Sequence, residues 1–122
     1  MKRLSEKEEA IMRIVWNLGK AFAKEVREEL PEPRPHINTV STIMRRLADK
    51  GFLQFEDFGT TYRYAAAISQ KQYNNKVVKP LLKGLFGNSI KNVVAFFAQE
   101  EEISKEELKE IIAMIDKKNK NK

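Results

Sequence analysis

The sequence predicts a mainly α-helical fold with one small β-hairpin. Three observations point there. Apolar residues recur at helical spacing in several separate segments, and Ser–Glu or Ser–Gln pairs three residues apart mark helix starts. Between Phe52 and Tyr64 the period changes from helical to extended.

Ser5 and Glu8 form a capping box, so the first helix begins there. Ile11, Ile14, Val15 and Leu18 keep one face apolar until Gly19 stops it. Lys20 to Phe22 reads as an extended link. A second helix runs from Ala23 to Leu30, with Val26 and Leu30 one turn apart. Pro31-Glu32-Pro33-Arg34-Pro35 makes a stiff loop, because each proline drives the residue before it out of helical geometry. The third helix covers Ile37 to Lys50 and ends at Gly51. Its apolar face is Ile37, Val40, Met44 and Leu47, with Ile43 at the margin. Phe52 to Glu56 reads as a strand, Asp57 to Thr60 as a turn, and Thr61 to Tyr64 as the returning strand. Three helices and a hairpin within residues 1–68 follow the order of a winged helix-turn-helix domain.

Residues 69–122 are helical. Ser69 and Gln72 cap a helix that runs to Phe86 and bends at Pro80. Gly87-Asn88-Ser89 breaks it, Ile90 to Gln99 forms the next segment, and Ser104 with Glu107 caps a last helix. The last helix carries the stripe Leu108, Ile111, Ile112 and Ile115, and the same half holds Leu81, Leu85, Phe86, Val93 and Phe97. A segment this short cannot cover so much apolar surface alone. Either this half packs on the first domain or it pairs with a second copy. Interfaces of obligate dimers resemble a core cut in two, and pairing, which gives DNA reading a two-fold axis, is the expected arrangement. Residues 69–122 are therefore read as a three-helix dimerisation domain ending in a solvated basic tail, Lys117 to Lys122.

Composition narrows the function. The absence of Cys excludes disulfides, thiolate zinc sites and thiol nucleophiles. No apolar run reaches the roughly 18 residues that span a bilayer, and the opening residues are charged, so a cytoplasmic protein without membrane contact is expected. The net charge of +6 favours a polyanionic partner. Residues 1–67 hold 12 Lys/Arg against 10 acids, net +2, and residues 68–122 hold 11 against 7, net +4. Local charge is more telling: between Glu32 and Asp49 there is no acid, while Arg34, His36, Arg45 and Arg46 all fall there.

With Val40, Met44 and Leu47 turned inward, Asn38, Thr42, Arg45 and Arg46 point outward, and Thr39 and Ser41 lie on the flanks. Such side chains suit the major groove: Arg pairs bidentately with guanine, Asn with adenine, and a Thr methyl touches the thymine methyl. An ordinary solvated helix face carries Glu as well, and here the first acid is Asp49. On the hairpin, Thr60, Thr61 and Arg63 are placed for phosphate contacts, whereas Tyr62 and Tyr64 share a face and pack on the third helix. His36 reads as an exposed loop residue. With no second His or Cys it completes no catalytic or metal site. Glu100 to Glu102, Glu106 and Glu107 fall at a helix end and in a first turn, where acids complement the helix dipole. No catalytic residue, metal site or cofactor is expected, and the chain is not read as an enzyme. The expected partner is double-stranded operator DNA; the competing reading is a winged-helix protein-interaction module with no operator of its own.

Taken together, these residues resemble the penicillinase repressor family over about residues 4–116. Leu4-Ser5, Glu8, Met12 and Trp16 are similar to its first helix, and Thr39-Val40, Thr42, Arg46-Leu47 and Lys50-Gly51 to its recognition helix. Gly59, Tyr62, Tyr64, Ser69 and Tyr73 follow its wing and linker, and Leu85-Phe86-Gly87 with Ser89 its dimerisation half. The resemblance implies a homodimeric repressor with Thr39, Thr42 and Arg46 among its DNA contacts, and a sensor protease as a partner. Three departures stand out. Glu9 takes the place of a frequent second Trp, and Thr60 that of a basic wing-tip residue. Phe96-Phe97 replaces the Asn–Phe bond cut in proteolysed members, so the family protease is not expected to cut there. The copper-responsive branch uses C-terminal Cys ligands and is excluded.

Overall fold

The computed structural model describes residues 2–120; Met1 and the last two residues of the expected tail, Asn121 and Lys122, lie outside the described residues. The fold is mainly α-helical with one small antiparallel sheet, and it divides into two compact units, residues 1–78 and 79–122.

The first unit is a winged helix. Its elements are α1 (Glu6–Leu18), β1 (Lys20–Phe22), α2 (Ala23–Glu29), α3 (Ile37–Asp49), β2 (Leu53–Asp57) and β3 (Tyr62–Ala66). α1 starts where its capping box requires: the Glu8 amide donates to the Ser5 hydroxyl at 3.2 Å, and the Ser5 amide to the Glu8 carboxylate at 3.0 Å. The apolar stripes of α1, α2 and α3 meet in one core, in which Ile11, Met12, Val15, Val26, Val40, Met44 and Leu47 are fully buried. Leu18, expected on the inner face of α1, is 41% exposed, because the chain turns away at Gly19 immediately after it.

Lys20 to Phe22 is more than a link. It forms a strand beside β3, in register Ala21 with Tyr64, and makes the sheet three-stranded in the order β1-β3-β2. The Asp57 carboxylate accepts from the Gly59 amide at 2.7 Å, and Gly59 takes φ +89° in the hairpin turn, a conformation costly for a residue bearing a Cβ.

The helix expected over 69–86 is interrupted. α4 (Gln70–Tyr73) passes through a π-helical turn, Asn74–Val78, into α5 (Lys79–Leu85). Pro80 lacks an amide hydrogen and its ring collides with the carbonyl four residues back, so a widened turn just before it relieves both problems. The expected boundary at 68/69 also falls short of the break in packing. Tyr73 and Val77 are buried in the core of the first unit, which extends to Val78. The Tyr73 hydroxyl accepts the Leu4 amide at 3.0 Å and donates to Glu9 at 2.9 Å. Glu9 thus has a structural partner in Tyr73.

Glu8 is the buried charge of this unit. Desolvation pushes its carboxyl up, but the hydrogen bond from Lys50 at 2.9 Å and those from Ser5 outweigh it and hold the group below its usual value. Glu8→Gln removes the ion pair but keeps the shape, and a loss of about 1–2 kcal/mol in urea unfolding is expected near neutral pH. Because the folded state lowers this pKa, the contribution is full above the ordinary carboxylate range. It fades as pH falls through the lowered value, so wild type and variant should converge in acid.

In the second unit α5 packs on α6 (Ile90–Gln99), with Phe86 against Phe96 at 5.4 Å between ring centroids. Val93, expected at a dimer interface, is already buried within the single chain, and Leu81, Phe86 and Leu108 are half-buried. α7 (Lys105–Lys120) is capped by Ser104 and Glu107 as the sequence requires, and it carries the helix into the expected basic tail. No side chain from Lys105 to Asn119 is buried, and Leu85, Phe97, Ile111, Ile112 and Ile115 are exposed.

Candidate nucleic-acid interface

The interface is built on α3. His36 caps its start, Nδ1 accepting the Asn38 amide at 3.1 Å, so this histidine has a local structural task. Two turns of apolar residues then lock the helix into the core through Val40, Met44 and Leu47, which fixes what faces away. Asn38, Thr39, Thr42, Arg45 and Arg46 are exposed and Ser41 is half-buried. Asn38, Ser41, Thr42, Arg45, Arg46 and Asp49 line one shallow open surface. The Thr42 hydroxyl donates to the Asn38 carbonyl at 2.8 Å, so this residue offers an acceptor and a methyl group outward.

The wing closes a second cleft of about 260 Å³ against α3, lined by Ser41 and Arg45 on the helix and by Thr60, Thr61, Tyr62 and Tyr64 on the hairpin. Here the strand alternation decides the layout. Tyr64 is buried, Tyr62 is half-buried, and the Arg45 guanidinium lies over the Tyr62 ring at 5.6 Å from its centroid. Burial pushes the Tyr64 phenol above its ordinary pKa, with the Arg45 charge opposing the rise.

Arg63 projects to the other face of the sheet. It pairs with Glu56 at 2.9 Å, a bond that lowers the Glu56 carboxyl, and lies over Phe58 at 5.3 Å. The structure therefore gathers Asn38, Ser41, Thr42, Arg45, Arg46, Thr60 and Thr61 around the outer side of α3. Thr39 is exposed on the same helix, and Arg63 is left out. Arg34, in the acid-free window, is also engaged elsewhere: it donates to the Leu30 and Glu28 carbonyls, each at 3.0 Å, closing the end of α2. Sequence reasoning missed Lys24, which joins the wing cleft from the first turn of α2. Only the expected helix-helix-hairpin order, which brings the start of α2 beside the wing, held a hint of it.

Among the described residues, no cluster of His, Cys, Asp and Glu is placed to hold a metal, and no helix is long and apolar enough to cross a membrane.

Residues 4–117 match the family described as Penicillinase repressor. The chain is 24% identical over 116 residues to the methicillin resistance regulatory protein MecI of Mammaliicoccus sciuri, covering 94% of each. It is 29% identical over 112 residues to the penicillinase repressor of Staphylococcus aureus, covering 88% of this chain and 89% of that one. A solved structure of the CopR repressor is 32% identical, with 53% of this chain and 96% of that chain covered and a TM-score of 0.45.

Proposed function

The chain belongs to the penicillinase repressor family, and we propose that it is a DNA-binding transcriptional repressor, not an enzyme, acting in the cytoplasm as a homodimer on a palindromic operator. The observation that carries this reading is the outer face of α3, where Asn38, Thr42, Arg45 and Arg46 share an open surface with one acid, Asp49, at its far end. α3 enters the major groove of each half-site, and Thr60 and Thr61 at the wing tip meet the phosphate backbone. The first unit binds DNA. The second supplies the dimer contact through Leu85, Phe97, Ile111, Ile112 and Ile115, which a single chain leaves exposed. Leu81, Phe86 and Leu108 add their half-buried edges.

Footprinting of the purified protein on its own upstream region tests the proposal. A protected palindrome supports it. Absence of salt-dependent duplex binding overturns it in favour of a protein-interaction module. Arg46 has no partner among the ion pairs of the described residues and is exposed, which leaves its fork available for a guanine edge. Arg46→Ala should cost about 1–3 kcal/mol and relax base choice at one position of each half-site. Should Arg46 hold phosphate instead, affinity falls evenly for all sequences and the salt slope drops by about one. Fluorescence anisotropy at two salt concentrations, on matched and single-substituted duplexes, separates the two.

A sensor protease is a further partner in this proposal. Phe96-Phe97 lies within α6, where Phe96 packs on Phe86. Proteolysis requires an extended strand, so an intact helix at this bond resists cleavage, and release from DNA by a cut there is not expected.

A further inference from the structure

The two neighbouring arginines of α3 differ in one respect. Arg46 stands clear, whereas the Arg45 guanidinium lies over an aromatic ring of the wing, 5.6 Å from its centroid. That ring is not alone. Tyr62 packs on Phe55 of β2 at 4.7 Å between centroids and on Tyr64 at 6.3 Å, nearly edge-on, while Phe55 reaches Tyr64 at 5.9 Å. Tyr64 is anchored in the core. The three rings form a platform whose position is fixed by the sheet register, Phe55 opposite Tyr64 and Asp57 opposite Tyr62.

A guanidinium has two different surfaces. Its flat face stacks on a ring, and its edge presents N–H donors in a fork that matches a carboxylate, a phosphate or the O6/N7 edge of guanine. A guanidinium held over a ring by its charge keeps N–H donors of its fork for other partners. The contact also removes rotamer freedom from a long side chain before DNA arrives, so less is lost on binding.

We infer that Tyr62 is a positioning residue for sequence reading: its ring holds Arg45 against the wing with the guanidinium fork directed at a guanine edge in the major groove. The wing then does more than grip the backbone. It fixes base choice at one position in each half-site through a side chain that touches no base. This rests on the reading of α3 as the groove-binding helix.

The experiment uses the full chain and duplexes selected by the wild-type protein from a randomised pool. Each single-base substitution is then scored against Tyr62→Phe, Tyr62→Leu, Arg45→Ala, Arg46→Ala and the combinations of Tyr62→Leu with each arginine variant. Tyr62→Phe keeps the ring and should retain wild-type selectivity. Tyr62→Leu should lose about two- to fivefold of the preference for guanine at one position per half-site, the amount an exposed cation–π contact is worth, and leave other positions unchanged. In the Arg45→Ala background Tyr62→Leu should change selectivity no further, whereas with Arg46→Ala its effect should simply multiply.

A merely structural role for Tyr62 gives a different pattern: a lowered melting temperature and an even loss of affinity over all sequences, persisting without Arg45. That pattern overturns the inference, as does an unchanged selectivity profile for Tyr62→Leu. Failure of the wild-type protein to select any duplex overturns the DNA reading instead, so the two failures are distinguishable.

Discussion

Ile112→Glu should lower affinity for a two-half-site operator by about a hundredfold to ten-thousandfold without altering the fold of the DNA-binding unit. Ile112 is 57% exposed on α7, beside Ile111 and Ile115 and far in sequence from the core residues of the winged helix. A carboxylate there costs the single chain little, because the side chain stays in water. At the interface between two copies the same carboxylate must be desolvated without a partner, which strongly disfavours pairing. A lone winged helix holds one half-site and forfeits the effective concentration that the second supplies, about 10²–10⁴ in affinity. Light scattering at micromolar concentration should give a dimer for wild type and a monomer for the variant. A monomeric wild-type protein, or a variant with full operator affinity, would sink the dimer proposal.

Leu47→Ala is expected to produce the largest loss of stability, about 2–5 kcal/mol, from the cavity and lost burial together. Leu47 has no exposed surface and sits where α3 meets the core. Its neighbour Arg46, about 100° further round the same helix, is exposed, and Arg46→Ala should change stability by no more than about 0.5 kcal/mol. Adjacent substitutions therefore divide cleanly. One moves the urea midpoint and reduces DNA binding only as far as the protein unfolds; the other reduces DNA binding with the midpoint fixed. A Leu47→Ala midpoint close to wild type would mean that α3 is not held by this packing.

Much of this was legible because the signals are local. Ser5 with Glu8, Ser69 with Gln72 and Ser104 with Glu107 each start a helix within a single turn, and all three capping pairs form in the structure. The two faces of α3 follow from helical spacing alone, which is why Val40, Met44 and Leu47 are inside and Arg45 and Arg46 outside. What escaped depends on partners distant in sequence. β1 becomes a strand only because β3 lies beside it, Lys20 opposite Ala65, and three residues carry too little pattern to announce that. Tyr73 joins the first core through Leu4, Glu9 and Trp16, and Val77 is buried in it, so no composition change marks the limit of that unit. Arg63 and Arg34 are ordinary basic residues in sequence. Their engagement by Glu56 and by the end of α2 is visible only in three dimensions.

The bond between the Leu4 amide and the Tyr73 hydroxyl also makes the molecule its own reporter. Leu4 precedes α1, outside any helix or strand, where backbone hydrogens ordinarily trade with solvent at the rate of a free chain. Here that hydrogen is buried and held by a side chain from the other end of the winged-helix unit. It exchanges with deuterium only when this bond opens, through Tyr73 or Leu4 leaving its place, so its protection factor measures the free energy of separating the Tyr73 segment from the approach to α1. A single resonance followed in heavy water thus reads how tightly the segment leading toward the second unit is fastened, with or without DNA bound.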